Sequence, residues 1–113
     1  MIKSWFRKRR ARAAWLRLGS AHPLPEGEIV ITTAAPESRL ELEGVPVVVL
    51  LGFHARGIVA LSPAFPGAVA IAPGDLVAKS PTEFRFAGTG ESLEVRRDVA
   101  ELVLASQRGE LVL

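Results

Sequence analysis

Few residues in the chain have the type and spacing that catalysis or metal binding requires. The two histidines, His22 and His54, are expected in loops, and neither belongs to an HxH, HxxxH or HExxH pattern. No GxSxG nucleophile elbow occurs, and the absence of Cys from the 113 residues excludes thiolate ligands and disulfides. We therefore predict no catalytic residue, no metal site and no cofactor, and a protein that is not an enzyme.

Three further patterns have simpler explanations than chemistry. Glu41 and Glu43 alternate with leucines, so they are expected on the solvent face of a strand rather than as paired acids. The GTG at 88–90 lacks the GK[ST] ending of a phosphate loop and is predicted to be a hairpin turn. The GFHARG segment is predicted to be a loop between glycines. Its candidate interface residues are Phe53, His54 and Arg56.

The strongest feature is the basic segment, residues 1–19, with the sequence MIKSWFRKRRARAAWLRLG. It holds seven of the 14 Lys and Arg residues and both tryptophans, and none of the 12 acidic residues. The net charge of +2 and the pI near 9.7 therefore come from this segment. Such a segment suits an anionic surface. The candidate partner-contacting or DNA-contacting residues are Trp5, Phe6, Arg7, Lys8, Arg9, Arg10, Arg12, Trp15 and Arg17.

The composition of residues 3–18 predicts a helix that ends at Gly19. At 100° per residue an apolar stripe forms, but Arg9 interrupts it, and Trp15 and Leu18 fall outside it. The stripe comprises Ile2, Trp5, Phe6, Ala13 and Leu16. Because apolar residues occur on several sides, we interpret the segment as a docking helix with Trp5 and Trp15 as anchors.

A targeting peptide is not expected, because no apolar run of signal-peptide length follows the basic start. The apolar runs elsewhere are too short for a membrane span. A nucleic-acid arm, an anchor to anionic lipid and a solvated basic tail remain alternatives to the docking helix. The predicted organisation is a basic helix or arm at 1–19, a proline-containing linker at 20–27, and a β-barrel domain at 28–113.

Short strands are predicted throughout the last domain. RLELE alternates strictly, VPVVVLL reads as one buried strand, and EFRFAGTGESLEV is the clearest hairpin. The tail DVAELVLASQRGELVL is ambiguous: Val95, Val99, Leu102 and Val103 fit a helical face, whereas the repeated ELVL favours two strands, which we prefer. The fold class is mainly β, a small barrel or sandwich of short antiparallel strands with an N-terminal α-helix.

The second half of the chain carries a resemblance to a known family. The segment AVAIAPGDLVAKSPTEFRFAGTGESLEVRRDVAELVLASQRGELVL runs from a strand through an acidic turn and a hairpin to a closing strand. This order resembles the small head–tail joining proteins of tailed bacteriophages, of the lambda head–tail joining type, over about the last 70 residues. The counterparts of the family's pattern are Phe84–Phe86, Gly88, Val95–Val99 and Leu111–Leu113.

The resemblance implies a virion structural protein that forms a homo-oligomeric ring, usually a hexamer, at the head–tail connector or neck. Such a ring closes the capsid and docks the tail, so the implied partners are portal, adaptor and tail proteins, and DNA in the channel. The implied location is the virion, and the host cytoplasm during assembly. The alternatives are a small nucleic-acid-binding β-barrel that uses the basic arm, and a capsid decoration protein.

Overall fold

The strands follow from alternating apolar residues punctuated by Gly and Pro turns. The structure, a computed structural model, describes residues 2–19, 29–31, 38–55 and 57–112, with the side chains of the first helix from residue 7 onward. The elements in chain order are α1 (Ile2–Leu18), β1 (Val30–Ile31), β2 (Arg39–Leu42), β3 (Val45–Val48), β4 (Leu50–His54), β5 (Gly57–Ser62), β6 (Phe65–Ile71), a 3₁₀ turn (Pro73–Asp75), β7 (Leu76–Ser80), β8 (Glu83–Phe86), β9 (Ser92–Glu94) and α2 (Arg97–Gln107).

Within the described ranges these strands form two antiparallel sheets, which confirms the predicted mainly β fold of sandwich or barrel type. One sheet has the order β1-β4-β5-β6 and the other the order β3-β2-β9-β8-β7. The chain passes between the sheets at the buried Val49, whose N–H donates to the carbonyl oxygen of Ser38 at 3.0 Å. The segment VPVVVLL is therefore two strands in different sheets, and not the single strand predicted. Pro46 lies in β3, an edge strand, where a missing N–H is tolerated.

Period-two burial is clearest in the five-stranded sheet. Leu40 and Leu42 are buried while Arg39 and Glu41 are exposed, as the RLELE pattern predicts. The predicted hairpin is β8–β9, and its turn is closed by the Gly90 N–H, which donates to the carbonyl oxygen of Phe86 at 2.7 Å. Gly90 has φ of 80°, a conformation that favours glycine. The sequence thus identified the two strands and the turn of this hairpin.

The tail is helical, so the preferred prediction of two strands was wrong. Residues 97–107 form α2, which lies against β5 and the 3₁₀ turn and buries Val99, Ala100 and Val103. β9, immediately before it, is already paired on both sides by β2 and β8. As a helix, the tail can bury its apolar side chains against the core without pairing to a strand, whereas further strands next to β9 would need a free sheet edge.

Candidate docking surface around the first helix

One face of α1 belongs to the hydrophobic core of the domain. Ala11, Ala14, Trp15 and Leu18 are buried, and their spacing places them on a single side of the helix. The Trp15 ring lies against Phe65 of β6, with the ring centroids 5.7 Å apart and the planes tilted by 31°. The two small alanines allow the helix to lie close to the strands, so Trp15 reaches into the sandwich.

This packing corrects the prediction that Trp15 contacts a partner. Only 1% of Trp15 is exposed, so its surface is already occupied by its own domain. The predicted apolar stripe is also wrong where side chains are described: Ala13 is exposed, and Leu16 is 65% exposed. The side chains of Trp5 and Phe6 lie outside the described residues, and their role in docking stays a prediction.

The exposed cations in the first half of the described part of α1 form the cationic face, defined here as Arg7, Lys8, Arg9, Arg10 and Arg12. All five side chains are exposed, and α1 has no acidic residue. Like charges three and four residues apart on a helix repel one another, so an anionic partner would relieve an unfavourable arrangement. Since α1 is fixed by its buried face, the cationic face has a defined position on the domain.

Three of these cations border an open groove between α1 and the start of β6. The groove has a volume of about 520 Å³, with Lys8, Arg9 and Arg12 along its rim. Its floor is apolar and consists of Ala64, Phe65 and Pro66. The sequence prediction missed these floor residues, because SPAFPG reads as a strand breaker. The aromatic residue between two prolines was the available signal for a fixed apolar surface.

The other predicted arm residue, Arg17, has an intramolecular partner. Its Nη2 donates to Oε1 of Glu43 at 3.2 Å, and both side chains are partly exposed. This ion pair connects the end of α1 to the turn between β2 and β3. Arg17 therefore acts in the attachment of the helix to the domain, separately from the cationic face.

A smaller recess of about 240 Å³ lies at that end of α1 and gathers the carboxylates of Glu41, Glu43 and Glu91. Burial raises the pKa of Glu91 above its ordinary value of 4.5. A backbone hydrogen bond from Glu43 and the charge of Arg17 lower this pKa, while the carboxylates of Glu43 and Glu41 raise it. The domain therefore has an acidic recess at one end of α1 and a cationic face toward the other.

The predicted interface loop is largely strand. Phe53 and His54 are the last residues of β4, with exposed fractions of 1% and 8%, and β5 begins at Gly57. The prediction was wrong because the chain closes a tight β4–β5 hairpin here, with Phe53 facing the core. Arg56 lies outside the described residues, so its prediction is untested.

Among the residues that the structure describes, no group of three or more His, Asp or Glu side chains is placed to hold a metal ion. None of the described helices has the length and hydropathy to cross a membrane. His22 and the predicted linker at 20–27 lie outside the described residues.

The fold and surfaces together define a small two-sheet β protein with a cationic face on a core-anchored helix. No protein-family model matches the chain, and no curated protein or solved structure shows significant similarity to it.

Proposed function

We propose that the chain is a structural docking subunit of a ring at the head–tail connector of a tailed phage. The observation that carries this proposal is the anchoring of a strongly cationic helix to the core through Trp15. A flexible tail loses conformational freedom when it binds, whereas a helix already packed on its domain is preorganised. Such a helix suits a repeated contact in an assembly, where every copy presents the same charged surface.

The resemblance to head–tail joining proteins supplies the particular assembly. It is carried by the segment through β9, because the closing strand of that pattern is replaced by the helix α2 in this chain. In a neck ring, the cationic face would meet an acidic portal or adaptor surface, or the phosphates of DNA in the channel. Among the described residues, no group of three or more potential metal ligands lies beside this surface. Under this proposal the protein assembles in the host cytoplasm and is then part of the virion.

The first experiment is size-exclusion chromatography with light scattering on the full chain, followed by negative-stain electron microscopy. We expect closed annular particles of several copies, with six as the expected number. Open aggregates, or a monomer at every concentration tested, would contradict the ring. Mass spectrometry of purified virions of a phage that encodes the chain tests the location, since a neck subunit must be present in a small, fixed copy number.

A nucleic-acid-binding protein is the second candidate, because five cations within six residues of one helix are exposed. Its test is duplex DNA binding across a salt series, using Lys8→Gln, Arg10→Gln and Arg12→Gln together. Neutralisation of three phosphate contacts should reduce the salt slope by about 3. The matched control neutralises three exposed cations elsewhere: Arg39, Lys79 and Arg85.

Deletion of residues 1–18 is unsuitable for this purpose, since it would also remove Trp15 from the core. Equal salt slopes for the two triple variants would reject the cationic face as a DNA contact. A lower slope for the Lys8, Arg10 and Arg12 variant alone would favour DNA as the anion that this face meets.

A further inference from the structure

The groove beside α1 has an apolar floor and a positively charged rim, and a binding partner must be complementary to both. Its floor, Ala64, Phe65 and Pro66, offers apolar surface, and the side chains of Lys8 and Arg12 on its rim offer positive charge. Ala64 and Pro66 are exposed, and Phe65 is partly buried because it packs on Trp15. A complementary occupant is a short segment with an apolar side chain close to a carboxylate.

The chain itself presents such a segment just after α2. Gly109, with φ of 69°, turns the backbone, and the Glu110 N–H donates to the carbonyl oxygen of Ala105 at 2.9 Å. Leu111 is partly buried against the core. Val112 follows with 91% exposure, the highest among the exposed large hydrophobic residues described. The hydrogen bond and the packing of Leu111 fix the backbone here, and the exposed Val112 follows the acidic Glu110 by two residues.

We infer that residues 110–112 of one copy bind in the groove of a second copy. Val112 would cover the apolar floor at Phe65 and Pro66, and the Glu110 carboxylate would face Lys8 and Arg12. Val112 does not fill the groove of its own copy, since its side chain is almost completely exposed there. Glu110 pairs within its own copy with Arg108 at 2.9 Å, but both side chains are largely exposed, so the carboxylate can accept a further cation.

This contact joins two different surfaces of the same chain, and such heterologous contacts generate closed rings or open filaments. The inference rests on the proposed function, because it supplies the subunit contact that a neck ring requires. It does not require DNA or a phage protein, so the isolated chain should form the contact by itself.

The absence of Cys from the chain allows a direct test by disulfide cross-linking. Ala64→Cys and Val112→Cys are prepared as separate full-length variants, one of them isotopically labelled, and mixed under mild oxidation. We expect a mixed disulfide between residues 64 and 112 as the main product, identified by mass spectrometry. The matched control replaces Val112→Cys with Val77→Cys, a similarly apolar position on β7 with 52% exposure.

A second measurement uses Val112→Asp in light scattering of the otherwise unmodified chain. The substitution should shift the particle mass toward the monomer while leaving the circular dichroism spectrum of the fold unchanged, because the side chain is exposed within its own copy. Rings that persist in this variant, together with equal cross-linking at residues 112 and 77, would overturn the inference but leave the ring proposal standing. A wild-type chain that never associates would overturn both.

Discussion

The two helices attach to the same β core in different ways. α1 is anchored by the large aromatic side chain of Trp15, and every charged residue on it is basic. α2 is anchored by smaller side chains, Val99, Ala100 and Val103, and by a polar contact in which the Gln107 amide donates to the carbonyl oxygens of Pro73 and Leu76. Its charged residues are mixed in sign, with Arg97, Asp98 and Glu101 exposed.

The two helices also differ in how their charged side chains are paired. In α2 the charge of Asp98 has a local partner, because Arg96, the residue before the helix, makes two hydrogen bonds to its carboxylate at 3.0 and 2.7 Å. α1 has Arg17 paired with Glu43, but its cationic face has no acidic residue on the same helix. α2 therefore combines a buried side with charges of both signs, whereas α1 combines a buried side with exposed charges that are all basic.

The largest expected effect is at the aromatic anchor of α1. Trp15→Ala should lower the free energy of unfolding by about 3–5 kcal/mol, because it leaves a cavity beside Phe65. Chemical denaturation measures the change. The matched control, Leu16→Ala, alters an exposed neighbour on the same helix and should change stability by less than about 0.5 kcal/mol. Similar losses in the free energy of unfolding for both variants would contradict the burial of one face of α1 in the core.

The polar anchor of α2 should have the next largest effect. Gln107→Ala leaves the carbonyl oxygens of Pro73 and Leu76 without the amide donor and should cost about 1–2 kcal/mol. Ser106→Ala, one residue earlier, is the control for altered helix propensity. Hydrogen exchange of the 3₁₀ turn should accelerate in the Gln107 variant alone. An unchanged free energy of unfolding would mean that the aliphatic contacts suffice to hold α2.

The Arg17–Glu43 ion pair should contribute less, because both partners are partly exposed. A double-mutant cycle with Arg17→Ala and Glu43→Ala is expected to give a coupling energy of about 0.2–1 kcal/mol that decreases with salt. Lys8→Ala paired with Glu43→Ala serves as the control cycle. A coupling of zero would assign the attachment of α1 entirely to its apolar face.

The smallest effects should appear as opposite pH dependences. The pKa of Glu91 is raised by burial, so its ionisation destabilises the fold as pH rises through the folded-state value. Glu91→Gln should therefore be slightly more stable than wild type at pH 7, by less than about 1 kcal/mol, and lose that advantage as pH falls toward 4.5.

Asp98 should behave in the opposite sense. The hydrogen bonds from Arg96 lower the pKa of its carboxyl below the ordinary value of 3.8. Its contribution to stability is thus present above pH 3.8 and is lost as pH falls through the depressed pKa. Asp98→Asn should be less stable than wild type at neutral pH and approach it in acid. Parallel pH profiles for the two variants would contradict these assignments, and thermal unfolding at a series of pH values measures them.

The sequence correctly predicted the elements whose residue pattern fits only one type of secondary structure. The alternation in RLELE and in EFRF identified β2 and β8 and their buried faces, and the composition of residues 3–18 identified α1. It failed where two patterns were compatible, as in the tail, whose ELVL repeat fits strands while Val95, Val99 and Val103 fit a helix. The pairing of β9 on both sides decided between them.

For the candidate docking surface, only the positive charge of α1 could be predicted from the sequence. Composition alone identified the basic segment and its arginines, because charge does not depend on how the chain folds. Which side of α1 faces the core could not be read from its own residues. The strands select Ala11, Ala14 and Trp15, since small residues allow close approach and the indole fits against Phe65.

The sequence by itself determined a mainly β chain with a basic N-terminal helix, because periodicity and charge are local properties. The tertiary structure alone decided that Trp15 is an internal anchor and that Phe53 and His54 are buried strand residues. It also decided that Lys8 and Arg12 border an apolar groove with Phe65. These outcomes depend on contacts between residues far apart in the chain, and such contacts exist only once the two sheets and the helix have packed together.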